Sequence, residues 1–152
     1  VVPTQPGVGY GRVGNLPQAM PLKALLAQIQ TVLRPPDLIY SPEADLQQSI
    51  ERLAVLGGSG ASFISDVVST GAQAYLTSDC KFHQFQEARD RGLVLIDAGH
   101  YATERPACAR LVEKLRALGA QQVQLSDRDE DFRQFWTIAK GNITEASSLS
   151  SL

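Results

Sequence analysis

The sequence predicts an α/β fold with a largely parallel or mixed sheet sandwiched between helices. Two observations predict it. From Ile50 onward, short apolar runs alternate with segments of helical period, in the order strand, helix, strand, helix, strand, helix, strand. The clearest run, Leu93 to Asp97, is apolar without alternation, as expected of a central parallel strand covered on both faces.

The elements follow in order. Val1 to Pro17 is rich in Gly and Pro, has no helix or strand period, and reads as a connector; the whole stretch 1–20 is assigned to it. The chain begins with Val rather than Met, so it starts after processing or inside a longer protein, and the connector favours the second. Pro21 to Leu33 is a predicted helix: Leu22, Leu25, Leu26, Ile29 and Leu33 recur at helical spacing, Pro21 suits a first turn, and Arg34-Pro35-Pro36 stops it. Asp37 to Tyr40 is a short strand candidate, and Ser41 to Asp45 is turn-like.

Ile50 to Leu56 reads as a strand running into Gly57-Gly58-Ser59-Gly60. Ala61 to Ser69 is a helix with Phe63, Ile64, Val67 and Val68 on one face, capped by Gly71. Ala74 to Thr77 is the next strand. Phe82 to Arg91 is a helix capped by Gly92, and Thr103 to Leu118 is a long helix ending at Gly119. Gln122 to Leu125 is the last expected strand, and Phe132, Phe135 and Trp136 suggest a short terminal helix. The domain thus runs over 21–138, and 139–152, rich in Ser, reads as a flexible tail.

Composition narrows the function classes. Hydrophobic residues are 43% of the 152, enough for a real core, and the formal net charge is -2, which gives no general attraction to nucleic acid or anionic lipid. No apolar run approaches the ~20 residues that span a bilayer, and no charged-then-apolar leader opens the chain, so a cytoplasmic protein is expected. Cys80 and Cys108 fall in segments that read as interior and lack metal-ligand spacing; two free thiols are expected, with a single disulfide as the alternative.

In open α/β sheets ligands gather at the carboxyl ends of the strands. Here those ends carry Gly58-Ser59-Gly60, then Thr77-Ser78-Asp79 with His83 close by, then Asp97-Ala98-Gly99-His100 with Glu104 four residues on. If Gly99 leads into a helix, His100 and Glu104 stack on one face and can share a divalent metal. Equally, Glu104 can serve only as a first-turn acid favouring the helix dipole. The chain has two histidines, and both fall at predicted strand ends. His83 could donate to an anion or shuttle a proton, or be a plain helix-start histidine. Asp79 could accept from a ligand or cap the next helix. Gly58, Ser59 and Gly60 could bring backbone N–H groups to an anion, or simply form a tight turn. The glycines at 7, 9, 11 and 14 mimic a dinucleotide fingerprint but follow Pro3 and Pro6 rather than a strand, and are discounted.

Several stretches together resemble the GTP cyclohydrolase 1 type 2 homologues, the NGG-interacting-factor-three-like dinuclear-metal proteins. They are Gly9-Tyr10-Gly11-Arg12-Val13-Gly14, Leu53 through Gly60, Ala74 through Asp79 with Phe82-His83, and Asp97 through Arg105. Their order and spacing match the second half of that family, from roughly Gly7 to Leu125. The resemblance implies one half of a two-lobed fold with metals between the halves. It makes His100 and Glu104 metal ligands, and puts His83 and Asp79 near the same cleft, either supporting the ligands from behind or on the substrate side. The remaining ligands, a His pair and an Asp, would come from the first half; this chain has no His-His. The usual Thr-Gly-Asp reads Thr77-Ser78-Asp79 here. Two donors are too few for two ions of Zn, Mn or Fe, which take about four ligands each, so this chain alone should bind metal incompletely. The resemblance further implies a homo-oligomer, hexameric in full-length relatives, and metal-assisted hydrolysis of a small phosphorylated or nucleotide-like compound, with His83 as proton donor and the Gly58–Gly60 loop as anion cradle. A non-enzymatic metal-dependent scaffold or regulatory interaction protein, and a plain α/β domain with no site, are the alternatives.

Overall fold

The computed structural model describes residues 3–5, 8–41 and 44–135. A two-stranded antiparallel hairpin, β1 (Pro3–Gln5) and β2 (Val8–Gly9), precedes the main sheet. The main sheet comprises β3 (Arg12–Pro21), β4 (Ile39–Tyr40), β5 (Ser49–Ser59), β6 (Ala74–Ser78) and β7 (Val94–Asp97), in the order β3-β5-β6-β7-β4. The central three are parallel and the two edges antiparallel. The helices are α1 (Leu22–Leu33), α2 (Ile64–Ser69, entered through a 3-10 turn over Ala61–Phe63), α3 (Phe82–Asp90) and α4 (His100–Ala117).

Two apolar layers hold this α/β sandwich together. On one face Leu22, Leu25 and Ile29 of α1 pack on Ile50, Ala74, Val94 and Ile96. On the other, Ile64 and Val67 of α2 and Ala88 of α3 pack on Ala54, Tyr75, Leu93 and Leu95. The run 93–96, which leads into and fills most of β7, explains its own composition: Val94 and Ile96 feed one layer and Leu93 and Leu95 the other, so all four are apolar. Burying each such side chain stabilises the fold by about 1.5–3 kcal/mol.

Four expectations need correction. The stretch 1–20 was expected to lack strand structure, yet Arg12–Pro21 is a ten-residue strand paired with β5. Its Gly and Pro hid it, and an edge strand tolerates them: the register shift between Asn15 and Met20 contains Pro17. Gln122 to Leu125 is not a strand, because β4 and Ser41 occupy the free edge of β7. Phe132 to Phe135 is not helical. Cys108 is exposed rather than interior, because α4 buries only Ala102, in its first turn. Both cysteines are free thiols. Trp136 and the tail lie outside the described residues. No helix among the described residues is long and apolar enough to cross a membrane.

Candidate metal centre

Parallel pairing brings the carboxyl ends of β5, β6 and β7 to one edge: Ser59 pairs with Ser78, and Thr77 with Asp97. α4 starts at His100, three residues before the expected Thr103, with Gly99 (φ 78) making the turn. One helical turn then stacks Glu104 over His100.

His100 sits between two carboxylates. Its Nδ1 is 2.5 Å from Asp79 Oδ2, and its Nε2 is 3.2 Å from Glu104 Oε1. The Asp79 contact, with Glu104 adding to it, pushes the imidazole pKa up. Asp79 therefore does not cap α3, whose N-cap position is Lys81. It holds an uncommon left-handed conformation, φ 56, at the end of β6.

The donor set fits one corner of a metal site. Two donors of one tetrahedral ion at roughly 2.0–2.2 Å are themselves about 3.3–3.6 Å apart, slightly more than the 3.2 Å between Nε2 and Oε1. A carboxylate on the opposite ring nitrogen is the usual partner of a metal-bound histidine, and Asp79 stands there. No group of three His, Cys, Asp or Glu among the described residues could hold an ion. His100 Nε2 and Glu104 Oε1 are the two groups that face each other here.

The Gly57–Gly60 stretch is not a free loop. β5 continues through Ser59 and lies directly against α4. A Cβ at Gly57 would stand 2.7 Å from the Thr103 carbonyl oxygen, and one at Gly58 (φ 71) would overlap the Glu104 carboxylate. The Gly58 N–H donates to Thr103 Oγ1 at 3.0 Å, and the Gly58 and Gly60 carbonyls accept from Thr77 Oγ1 and the Tyr75 hydroxyl. The glycines let β5 lie close against the first turns of α4 and leave room for the Glu104 carboxylate over Gly58.

A cleft of about 450 Å³ opens beside the corner. Asp79, His100, Glu104 and Arg105 line it, with Tyr101 and Arg133. The Arg105 guanidinium lies 5.6 Å from the Tyr101 ring centroid. His83 is exposed in the first turn of α3 and is not among the lining residues. Sequence reasoning gave no role to Arg133, which reaches the cleft from a segment without periodicity; its acidic neighbour Asp131, an ion pair at 3.0 Å, was the only local signal.

Comparison with known proteins gives the family and the fold. The family Duf34/NIF3 (NGG1p interacting factor 3) matches residues 2–131. A GTP cyclohydrolase 1 type 2 homolog of Nostoc sp. (strain PCC 7120) is 74% identical over 136 residues, covering 90% of this chain and 52% of that protein. One from Mycobacterium tuberculosis is 36% identical over 118 residues, covering 77% and 31%. Among solved structures, Staphylococcus aureus hypothetical protein SA1388 superposes with a TM-score of 0.72 at 26% identity, over 84% of this chain and 43% of that one. Reduced HcgD from Methanocaldococcus jannaschii gives 0.59 at 29%, over 72% and 43%. The chain spans about half the length, or less, of these relatives. With the match extending over nearly all of its described residues, the chain belongs to the Duf34/NIF3 family of GTP cyclohydrolase 1 type 2 homologues.

Proposed function

We propose that this chain carries one corner of a divalent-metal centre in a metal-dependent hydrolase, with His100 and Glu104 as donors. The observation that carries the reading is His100 itself, held on Nδ1 by Asp79 while Nε2 faces Glu104 at 3.2 Å. Asp79 keeps the ring oriented and favours the tautomer that leaves Nε2 its lone pair. Bound there, a divalent ion supplies Lewis acidity toward a phosphate or ring bond and makes water more acidic. The rest of its coordination sphere comes from the part of the family fold outside this chain, or from an assembled second subunit. The adjoining cleft carries Arg105 and Tyr101 on its wall but also the carboxylates of Asp129, Glu130 and Asp131, so a small phosphorylated or nucleotide-like compound would depend on the bound cation to be held there. His83 is exposed and does not line the cleft, so the proposal rests on His100 and Glu104.

Calorimetric titration of Zn²⁺ and Mn²⁺ into this chain tests it, with His100→Ala and Glu104→Gln as variants. The expected result is weak binding that either variant abolishes. It should tighten when the remainder of a family member is added as a second polypeptide. Binding that survives both substitutions would place the ion elsewhere and end the reading.

A further inference from the structure

The turns that carry Asp79 and His100 leave neighbouring strands, and one side chain ties them together. Asp97, at the end of β7, uses both carboxylate oxygens. Oδ1 accepts the Gly99 N–H at 2.8 Å, and Oδ2 accepts the Cys80 N–H at 2.8 Å. Cys80 follows Asp79 and Gly99 precedes His100, so each bond holds the residue next to one member of the pair.

The two bonds have different reach. The Gly99 bond closes a local turn, two residues along, as aspartates commonly do. It needs a single acceptor, and asparagine would serve. The Cys80 bond spans 17 residues to the adjacent loop and contributes nothing to the local turn. The backbone alone does not enforce the geometry of these loops: Asp79 is left-handed at φ 56, and Gly99 stands at φ 78. The carboxylate is also close enough to be felt by its neighbour. Burial first, then the Asp97 charge, push the Cys80 thiol up.

We propose that Asp97 is a positioning residue of the metal corner: by clamping the Cys80 and Gly99 amides with one carboxylate it sets the distance from Asp79 to His100, and with it the direction in which Nε2 points. The proposal rests on the reading of His100 and Glu104 as donors. Removing the clamp loosens the ring without touching either donor.

The test uses the full chain with Asp97→Asn, which keeps the volume and the local turn but has one acceptor oxygen where two are needed. Asp97→Ser, which retains a weaker turn-closing hydroxyl, is the second variant should the first fold poorly. In metal-free protein at one fixed pH, ¹⁵N-histidine NMR reports the two imidazoles separately, and His83 is the internal reference. The expected result is a protected Nδ1–H signal from His100 in the unaltered chain. In the variants it is lost or displaced, His83 is unchanged, and Zn²⁺ affinity drops about 10–100-fold. A purely local turn role predicts that Asp97→Asn leaves the His100 signals and Zn²⁺ affinity alone, and that outcome overturns the proposal. If the His100 signals move but the unaltered chain binds no Zn²⁺, the clamp stands and the metal reading falls.

Discussion

His100 acquires its chemistry from its neighbours rather than from its own position. Asp79 occupies one nitrogen, Glu104 faces the other, and Gly58 leaves the space in which Glu104 lies. Gly58→Ala tests that space. The added methyl meets the far end of a flexible carboxylate, so Glu104 swings aside and the backbone moves little. The left-handed φ of 71 adds about 1–2 kcal/mol of strain for a residue with a Cβ. The expected outcome is a modest fall in stability by urea denaturation and a disproportionate loss of metal binding by titration. Equal losses, or none in binding, would mean that Glu104 is not a donor. His100 and Glu104 were readable as a pair because i, i+4 spacing survives wherever the helix begins. The partner on Nδ1 was not, since Asp79 lies 21 residues away and only the parallel pairing of β6 with β7 brings it near.

Among the elements, β7 shows how an edge is closed. Ser41, 3% exposed, donates nothing to a helix or turn of its own. Its Oγ accepts the Leu95 N–H at 2.8 Å, and its own N–H donates to the Leu95 carbonyl at 3.0 Å. Ser41→Ala strands a buried amide and should cost about 1–3 kcal/mol. Hydrogen exchange at Leu95 is the direct readout: it should accelerate in the variant, and unchanged protection would show that another group serves the amide. The same contact accounts for the missing strand at Gln122 to Leu125, whose apolar residues fit a strand but find the edge of β7 taken. Strand β3 errs in the opposite sense. Its local signal is poor, yet β5 recruits it because an unpaired edge of buried backbone must be satisfied.

At the scale of the whole molecule, stability should fall in alkali in a traceable way. Tyr75 is 1% exposed, its hydroxyl donates to the Gly60 carbonyl at 2.8 Å, and burial raises its pKa from 10.0 to about 12. A raised acid pKa means the unfolded chain loses this proton first. The Tyr75 contribution is therefore intact below pH 10 and declines as pH climbs from 10 toward about 12. Tyr75→Phe should flatten that decline while lowering stability at neutral pH, since Gly60 loses its donor. Thermal melts between pH 7 and 11 would show it, and an unchanged alkaline limb would assign the loss to other groups.

The parallel core, and the gathering of chemistry at one edge of it, are written in local patterns of the chain. Leu93 to Asp97, the glycine caps and the helical spacing in α1 are signals within a few residues, set by side-chain type and backbone permissiveness. Any parallel arrangement of those strands brings Gly58, Asp79 and His100 to the same edge. Which of these groups touch is set by packing. Packing turned Asp79 to His100 instead of to α3, made the Gly57–Gly60 stretch a packing surface for α4, left His83 outside the cleft, and put Asp97 between two loops. Those outcomes depend on register between strands and on close approach of elements distant in sequence. No local pattern carries either, because the energies that select them arise only when both partners are in place.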